Sequence, residues 1–311
     1  MQPVDPFYLP DKKPAQFPAI PTGSLRLDIL LGTGGIPPGH ITEVSGTVMS
    51  GKTTFCLHLV AAAQRQGGLC AWVDSDHALD PAYAIHCGVN PDRLYLVEPN
   101  DAEHALSIVE TLLHSASMAL VIVDSVSSLV PHHELQVPLG KSPVKSSDVL
   151  LARALPILAS AAARSGVALV LTSQSWSRSS PVYHQLRHHP EKLALKLHSA
   201  LRLQINQVRQ NRPSGAHSQD HYRIRCLKNK FTPDFRAIRV DIVYNETYQF
   251  ASDIFDLSLA FSVIRLRESQ YFFRDRDLGS SRTEVIEQLL RETALAAIIE
   301  RVLRQQLVMK G

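Results

Sequence analysis

The sequence predicts an α/β protein with a twisted, mostly parallel sheet and a small C-terminal α/β domain. Apolar runs of strand length alternate with segments of helical periodicity from about residue 41 to residue 174, the order typical of a parallel sheet covered by helices. Two of the strands lead directly into polar motifs: HITEVS precedes a glycine-rich loop, and LVIV precedes an aspartate. From about Asn245 the pattern changes to helices around a short β-ribbon, which predicts the separate C-terminal unit.

The glycine-rich loop GTVMSGKTT, residues 46–54, fits the pattern G-x-x-x-x-G-K-[ST]. It lies between a predicted strand and the helical segment TFCLHLVAAAQRQ, a context that favours a phosphate site over a chance turn. Glycines let backbone N–H groups turn toward a phosphate, and the helix N-terminus adds partial positive charge. Lys52 can reach the β- and γ-phosphates, and the Thr53 hydroxyl can ligate Mg²⁺. The predicted ATP-binding residues of this loop are Gly46, Ser50, Gly51, Lys52, Thr53 and Thr54.

Asp124 ends the apolar run 120–123. A lone aspartate at a strand end is usually a cap or a turn residue, but behind a phosphate loop it is typical of a Walker B carboxylate. We expect Asp124 to hold Mg²⁺ opposite Thr53, directly or through water. A second group of acids follows the predicted strand 69–73 at the sheet edge where ligands of open α/β sheets bind. These acids are Asp74, Asp76 and Asp80.

The other elements follow from periodicity and from the positions of Gly and Pro. The predicted helices are 25–31, 81–87, 102–115, 148–165, 250–260, 283–290 and 293–307. The predicted strands are 41–45, 69–73, 94–97, 120–123, 167–171, 201–207, 222–228 and 237–244, with a ribbon at 263–273. Polar loops are expected at 131–147, 175–192 and 209–220. The resulting division is an extended, proline-rich arm at 1–22, a core domain at 23–245 and a C-terminal domain at 246–311.

The composition is that of an ordinary globular protein, with 45% hydrophobic and 20% charged residues in a chain of 311. The longest apolar run carries Asp124, and the N-terminus lacks an apolar signal region, so we expect a cytoplasmic protein without a membrane span. The four cysteines are scattered and indicate core thiols rather than disulfides or metal ligands. The net charge of +3 permits nucleic-acid binding but does not argue for it.

The order of these motifs resembles the RecA recombinase family over nearly the whole chain. The matching stretches are PTGSLRLDILLGTGGIPPGHITEVSG, SGKTT, DSDHALDPAYA, LVIVDSVSSL and KNK. The run DHALDP is much more specific than the phosphate loop alone. The resemblance implies a RecA-like P-loop ATPase core that uses ATP and Mg²⁺, with ATP held between adjacent subunits of a polymer on single-stranded DNA.

The resemblance also implies catalytic roles. Gln174, at the end of its strand, would sense the γ-phosphate and relay its presence into the adjoining loop. Lys228 and Lys230 would stabilise charge on the neighbouring subunit's ATP, in a role similar to that of an arginine finger. Spacing alone would favour a solvated strand end for this lysine pair; the family match favours the functional role. The catalytic residues implied in this way are Lys52, Asp76, Gln174, Lys228 and Lys230.

The stretch DSDHALDPAY carries two further implications. Asp80 and Tyr83 would face the adenine, on which an aromatic ring can stack. Asp76 matches the acid that polarises the attacking water, which is usually a glutamate in the family. Because aspartate is one methylene shorter, and because a misplacement of ~1 Å can cost ~10²-fold in rate, we expect slow hydrolysis with intact ATP binding.

The loops 131–147 and 175–192 correspond to the family's DNA-binding loops but differ in sequence. Where the family's second loop ends with a glycine pair before a helix, this chain has Glu191 and Lys192. Cations and aromatic rings suit single-stranded DNA. The DNA-binding candidates are Lys141, Lys145, Trp176, Arg178, Arg187 and Lys192. The alternatives are solvated loops, loops rebuilt for a protein partner, or a metal site from His132, His133 and Glu134 or from His184, His188 and His189.

The family's N-terminal docking helix is not evident in the proline-rich arm, which could instead add an edge strand to a neighbouring subunit through FYLP or AIPT. The sequence is therefore interpreted as a recombinase that forms a helical filament on single-stranded DNA and pairs it with homologous duplex DNA. The alternative is a RecA-like paralogue that acts as an accessory or regulatory ATP-binding protein. The altered loops and Asp76 favour that alternative, whereas the full set of nucleotide-site residues disfavours it.

Overall fold

The computed structural model describes residues 18–137, 147–175, 190–208, 221–232, 239–243, 246–267 and 269–308. Within these ranges the helices are α1 Leu25–Leu31, α2 Lys52–Arg65, α3 Pro81–His86, α4 Ala102–Ser115, α5 His132–Leu135, α6 Ser147–Ser165, α7 Pro190–His198, α8 Glu246–Ala260, α9 Arg282–Arg291 and α10 Thr293–Val308. The strands are β1 Ile41–Gly46, β2 Cys70–Asp74, β3 Leu94–Val97, β4 Leu120–Asp124, β5 Ala168–Gln174, β6 Leu201–Val208, β7 His221–Asn229, β8 Arg239–Val243, β9 Ile264–Arg267, β10 Gln270–Phe273 and β11 Arg276–Gly279.

Eight strands form one sheet in the order β3-β2-β4-β5-β1-β6-β7-β8, and β9 to β11 form a separate three-stranded sheet. In the large sheet the pairs from β3 to β6 are all parallel, while β7 and β8 are antiparallel additions at one end. The predicted α/β fold with a mostly parallel sheet and a small C-terminal α/β unit is therefore confirmed. Since parallel strands end at the same edge, the residues after β1, β2, β4 and β5 meet there.

The central strands are apolar because both faces of the sheet are covered. Every residue of β2 and β4 is buried, as expected for strands between two helical layers. On one face, Phe55 and Leu59 of α2 pack against the sheet in a single cluster with Trp72. On the other face, Val109 of α4 and Leu155 of α6 belong to a second cluster.

A third apolar cluster unites the C-terminal helices with the three-stranded sheet, and it includes Leu25 of α1. Two polar contacts hold α1 there. The buried Ser24 hydroxyl donates to Asp253 Oδ2 at 2.6 Å, and the Arg26 amide donates to the same oxygen at 3.2 Å. The helix that follows the arm is thus anchored on the C-terminal unit, while the domain boundaries at 22 and 245 stay predictions.

Two polar partners of the buried Glu43 fix the register of the strands around β1. Glu43 is 4% exposed. It accepts a hydrogen bond from Ser173 Oγ of β5 at 2.8 Å and forms an ion pair with Arg202 of β6. Because a buried carboxylate must be paired, this contact holds β5, β1 and β6 together close to the edge at which β1 and β5 end.

The main elements match the predicted ones within a few residues, and the exceptions have local causes. Helix α7 begins inside the predicted loop 175–192, because Pro190 can occupy a first helical turn and ALKL supplies helix formers with Ala194 and Leu195 buried. The predicted ribbon gains a third strand, β11, whose RDLG sequence gives only Leu278 to the core. The short helix α5 likewise lies inside the predicted loop 131–147.

The suggestion that AIPT adds an edge strand to a neighbouring subunit is wrong for this segment. The N–H and C=O groups of Ile20 both pair with Ile36 of the same chain, at 3.0 and 2.7 Å, and Ile20 is 1% exposed. Its backbone groups are therefore already satisfied. The FYLP stretch lies outside the described residues.

All four cysteines are buried and free, which confirms their interpretation as core thiols. Burial raises the pKa of Cys70 to about 12, so this thiol is protonated and inert at neutral pH. In the described part of the chain, no helix combines the length and the apolar character that crossing a membrane requires.

Candidate nucleotide site

The loop between β1 and α2 is shaped by its two motif glycines. Gly51 has φ +85°, in the left-handed region that favours glycine, and it precedes the first residue of α2. A Cβ atom on Gly46 would lie 2.6 Å from the carbonyl oxygen of Ile205 in β6. The loop can therefore curl against the sheet only because both positions lack side chains.

The loop offers donors that fit a phosphate group. The first intrahelical bond of α2 runs from the Phe55 amide to the Gly51 carbonyl, so the first-turn amides before Phe55 have no intrahelical acceptor. The Ser50 hydroxyl is buried, and no described residue hydrogen-bonds to it. This combination of helix amides and an orphaned hydroxyl is the donor set of an anion site.

Lys52 supplies the positive charge of the loop. Its Nζ donates to the carbonyls of Gly46 at 3.3 Å and Thr47 at 2.9 Å, which holds the ammonium over the loop. Burial lowers the pKa of Lys52, and the nearby carboxylates of Asp124 and Asp76 oppose that effect. The ammonium and both predicted carboxylates thus share one electrostatic environment.

Asp124 is the buried carboxylate at the centre of the site, at 6% exposure. Its Oδ2 accepts from Thr53 Oγ1 of α2 at 2.7 Å, and its Oδ1 accepts from Thr172 Oγ1 of β5. Burial raises the pKa of Asp124; the hydrogen bonds from Thr172 and Thr53 partly offset this effect, and the charge of Asp76 adds to it. The carboxylate is thus oriented by two hydroxyls in a place where its own charge is unfavourable.

The pair of Thr53 and Asp124 fits a divalent cation. Their oxygens lie 2.7 Å apart, and Mg²⁺ is typically held in proteins by one or two such oxygens together with water and phosphate. A cation there would also neutralise a buried negative charge. The residues therefore suit both ATP and Mg²⁺, as the sequence predicts.

The three acids at the end of β2 and just after it differ in their surroundings. Asp74 is buried, and its Oδ2 accepts from the amides of Ala78 and Leu79, which shapes the β2–α3 connection. Asp76 is exposed, and its Oδ1 accepts from Ser125 Oγ, next to Asp124, at 3.4 Å. The structure thus brings the predicted water-polarising Asp76 close to Asp124, the predicted metal ligand.

The two predicted adenine residues are the N-cap residue of α3 and a residue of α3 itself. Asp80 is the N-cap of α3, where its Oδ1 accepts from the Ala82 amide at 2.9 Å. Tyr83 is 40% exposed, and its hydroxyl lies 2.9 Å from Thr54 Oγ1. The Tyr83 ring is therefore fixed next to the phosphate loop with part of its surface open.

Gln174 ends β5 directly beside the loop. It is the register partner of Gly46 in β1, and its amide donates to Ser127 Oγ at 3.0 Å. The chain continues from here through Ser175 into residues 176–189, which lie outside the described ranges. Gln174 is thus the link in sequence between the nucleotide site and the second candidate DNA loop.

Lys228 and Lys230 lie toward the opposite edge of the sheet from the phosphate loop. Lys228 pairs with Arg202, and the Lys230 amide donates to the Ala200 carbonyl before β6 begins. The partner of Gly46 in β6 is Ile205, three residues beyond Arg202, or about 10 Å at the rise of a strand. Both lysines therefore lie near the end of the sheet opposite to their own chain's loop, and their role at a neighbouring subunit's ATP stays a prediction.

The Lys228 side chain turns away from its own nucleotide site. Its Nζ donates to the carbonyls of Lys196 at 2.7 Å and Leu197 at 3.0 Å, at the end of α7. Burial lowers the pKa of Lys228, and the positive charge of Lys230 lowers it further. In the isolated chain this ammonium therefore caps a helix C-terminus, where a cation is favourable.

The predicted DNA contacts lie outside what the structure describes. Lys141, Lys145, Trp176, Arg178 and Arg187 fall in undescribed segments, and of Lys192 only the backbone, within α7, is described. Those six residues stay predictions.

The described residues contain no group of three or more His, Cys, Asp or Glu arranged for a metal ion. The alternative site at His132, His133 and Glu134 therefore gains no support. Instead, His132 Nδ1 lies 3.0 Å from Asp101 Oδ2, a contact that ties α5 to the start of α4. The other alternative, His184, His188 and His189, falls outside the described ranges.

Sequence reasoning missed two contacts of the site. Thr172 was recognisable only as a polar residue at a strand end, although it orients Asp124. Tyr222 was recognisable only as the start of a strand, although its ring lies against Gly51. Both contacts join residues far apart in the chain, and one sequence carries no signal for such a pairing beyond the order of the strands.

Comparison with known proteins identifies the family. The family model described as the RecA N-terminal domain matches residues 7–249. The chain belongs to the RecA family. It is 37% identical over 286 residues to Protein RecA of Aquifex pyrophilus, covering 92% of this chain and 82% of that protein. It is 34% identical over 296 residues to Protein RecA of Aquifex aeolicus, covering 95% and 86%.

The likeness extends beyond this genus. Protein RecA of Chlorobium chlorochromatii is 37% identical over 274 residues, covering 88% of this chain and 77% of that protein. The resemblance drawn from the motifs is thus confirmed over most of the chain. It supports the recombinase function of the RecA family and does not favour an accessory paralogue.

The buried charge of Asp124 gives a testable consequence for stability. Because the pKa of Asp124 is raised in the folded state, its ionised form opposes folding. The stability that the Asp124 carboxyl group contributes is fully present below the pKa it has in the unfolded chain. That stability is lost as the pH rises through its pKa in the folded chain. We expect Asp124→Asn to raise the melting temperature of the nucleotide-free RecA-family chain at neutral pH, by an amount that shrinks toward pH 4 and corresponds to about 1.4 kcal/mol per unit of pKa shift.

The same variant should lose the stabilisation that Mg²⁺ and ATP give to the wild-type chain. Melting curves from pH 4 to 8, with and without Mg²⁺ and ATP, measure both effects. Asp92→Asn removes an exposed carboxylate in the short 3₁₀ turn Pro91–Arg93 and is the matched control. A destabilised Asp124→Asn chain at neutral pH would contradict the argument.

Proposed function

We propose that this RecA-family chain is an ATP-dependent homologous-recombination protein that polymerises on single-stranded DNA and promotes homologous pairing and strand exchange with duplex DNA. The observation that carries the proposal is the division of the site between two sheet edges. The phosphate loop, Asp124 and Asp76 lie at one edge, whereas Lys228 and Lys230 lie toward the other. Such a chain completes its active site only when a second copy supplies the lysines.

The ATPase reaction is the attack of water on the γ-phosphorus with ADP as leaving group. The helix amides and Lys52 would bind the phosphates. The Tyr83 ring would stack on the adenine, with Asp80 holding the start of α3 in place. Thr53 and Asp124 would hold Mg²⁺, which when bound neutralises charge on the β- and γ-phosphates. Asp76, fixed by Ser125, would orient the water.

Two exposed apolar patches support filament formation, one in the phosphate loop and one near Lys228. Val48 and Met49, in the loop, are 63% and 85% exposed. Near Lys228, Leu193 and Leu197 lie one helical turn apart on α7 and are each 58% exposed. Since the two patches differ, their contact would be heterologous, and heterologous contacts that do not close build helical polymers. Gln174 would link the bound γ-phosphate to the second DNA loop, residues 175–192, and residues 131–147 would form the first DNA loop.

The first test is nucleotide-dependent DNA binding. We expect tight, cooperative binding of a labelled single strand with ATP, and weak binding with ADP or with no nucleotide. The logarithm of the affinity should fall linearly with the logarithm of the salt concentration, with a slope of about −0.7 per phosphate neutralised. Fluorescence anisotropy across a salt series measures this. A chain that binds ATP but no DNA with any nucleotide would instead be an accessory protein.

The second test concerns the lysines in trans. Lys52→Arg and the double variant Lys228→Ala/Lys230→Ala should each be inactive as an ATPase on single-stranded DNA. Mixed in equal amounts, they should recover up to about a quarter of the wild-type rate, because a quarter of random heterologous interfaces join an intact loop to intact lysines. A mixture as inactive as its components, or an active lysine variant alone, would rule out the trans role.

The third test concerns the rate. Because the Asp76 carboxylate stands on a stem one methylene shorter than that of glutamate, Asp76→Glu should raise DNA-stimulated turnover, by up to ~10²-fold. The KM for ATP should stay within about twofold, since Asp76 would act on the water rather than on ATP binding. Steady-state ATPase assays measure both constants, with Asp92→Glu as control. An unchanged or lower kcat would show that the shorter stem does not limit hydrolysis.

A further inference from the structure

Tyr222, the second residue of β7, lies directly against the phosphate loop. Its side chain is 8% exposed. A Cβ atom placed on Gly51 would lie 2.5 Å from Cε1 and 2.8 Å from Cδ1 of the Tyr222 ring. The ring therefore fills the space into which any other side chain at position 51 would point, and it packs on the backbone of the turn itself.

The antiparallel direction of β7 explains how this residue reaches the loop. Because β7 runs opposite to β6, it begins at the sheet edge where β1 and β6 end. Tyr222 pairs with Gln207 of β6, two residues past Ile205. The Ile205 carbonyl lies close to Gly46, so the two motif glycines rest on neighbouring strands: Gly46 on β6 and Gly51 on β7.

The position of Gly51 determines where the first-turn amides of α2 point. Gly51 adopts a left-handed conformation and is the residue just before the helix. A flat ring packed on this residue restrains the turn and the helix start together, and a smaller side chain at position 222 would leave a cavity beneath them. Since misplacing a binding group by ~1 Å can cost ~10²-fold, the restraint bears on phosphate binding.

We propose that Tyr222 is a positioning residue for nucleotide binding: its ring braces the Gly51 turn from β7 and so holds the loop amides in their phosphate-binding arrangement. The inference rests on the proposed function, in which this loop binds ATP. Tyr222 acts through Gly51 and is not a catalytic residue. Its loss should therefore weaken ATP binding more than it lowers turnover at saturating ATP.

Three variants of the full chain test the brace. Tyr222→Phe keeps the ring, and Tyr222→Leu keeps apolar bulk but removes the flat ring. Ile224→Val is the matched control: Ile224 is fully buried in the same cluster, two residues farther along β7. Affinity for a fluorescent N-methylanthraniloyl ATP, KM and kcat for ATP, and the melting temperature without nucleotide are measured for each.

We expect Tyr222→Leu to weaken binding of the fluorescent ATP on the order of tenfold, with Tyr222→Phe within about twofold of the wild-type chain. Ile224→Val should keep wild-type affinity even where it lowers the melting temperature. Unchanged affinity in Tyr222→Leu, or an equal loss in Ile224→Val, would overturn the brace while leaving the proposed function intact. A wild-type chain that binds no fluorescent ATP would overturn both.

A second measurement does not depend on how well Tyr222→Leu folds. The chain has 8 tyrosines, and labelling with 3-fluorotyrosine gives each a ¹⁹F resonance. Tyr222→Phe is a nearly isosteric change, and the resonance that is missing from the ¹⁹F spectrum of this variant belongs to Tyr222. It should shift when Mg²⁺ and ADP are added, because the braced turn contacts the phosphates. A Tyr222 resonance that does not respond to saturating nucleotide would refute the coupling.

Discussion

The nucleotide site depends on one buried carboxylate, that of Asp124. Its two oxygens accept hydrogen bonds from α2 through Thr53 and from β5 through Thr172. These hydrogen bonds therefore fix the positions of α2 and β5 relative to Asp124 of β4. Because burial disfavours its charge, the arrangement costs stability in the isolated chain and favours a bound cation. In the proposed function, a site organised in this way would exchange folding stability for affinity toward Mg²⁺ and phosphate.

The direction of the strands explains why the proposed active site would draw on a second copy of the chain. Parallel strands place the loop, Asp124 and Gln174 at one edge, and the antiparallel β7 starts at that edge and carries Lys228 to the other. Buried Glu43 joins these parts, since it pairs with Ser173 beside Gln174 and with Arg202, the register partner of Lys228. The paired strands thus fix the distance between the phosphate loop of one copy and the lysines of the same copy.

Much of the fold could be predicted from the sequence because the signals were local. The order of strands and helices followed from apolar periodicity, and the loop and Asp124 followed from motifs whose residues are close in the chain. Helix α7 and strand β11 were missed because their apolar content is low: α7 buries Ala194, Leu195 and little else among its described side chains, and β11 buries only Leu278. The lysines' placement toward the far edge agrees with the role that the resemblance implied, yet spacing alone would have assigned them to a solvated strand end.

The contacts that the sequence could not predict are those between residues far apart in the chain. Thr172 meets Asp124, and Tyr222 meets the loop, through tertiary packing, and neither residue type is unusual in a strand. The case of Tyr222 shows how a motif depends on its support. The pattern G-x-x-x-x-G-K-[ST] requires glycine at position 51 for its left-handed φ, but in this chain the glycine is required a second time, because a ring occupies the side-chain space. A phosphate loop is therefore defined both by its own residues and by the strand that lies beneath it, and only the first of these can be read from the motif.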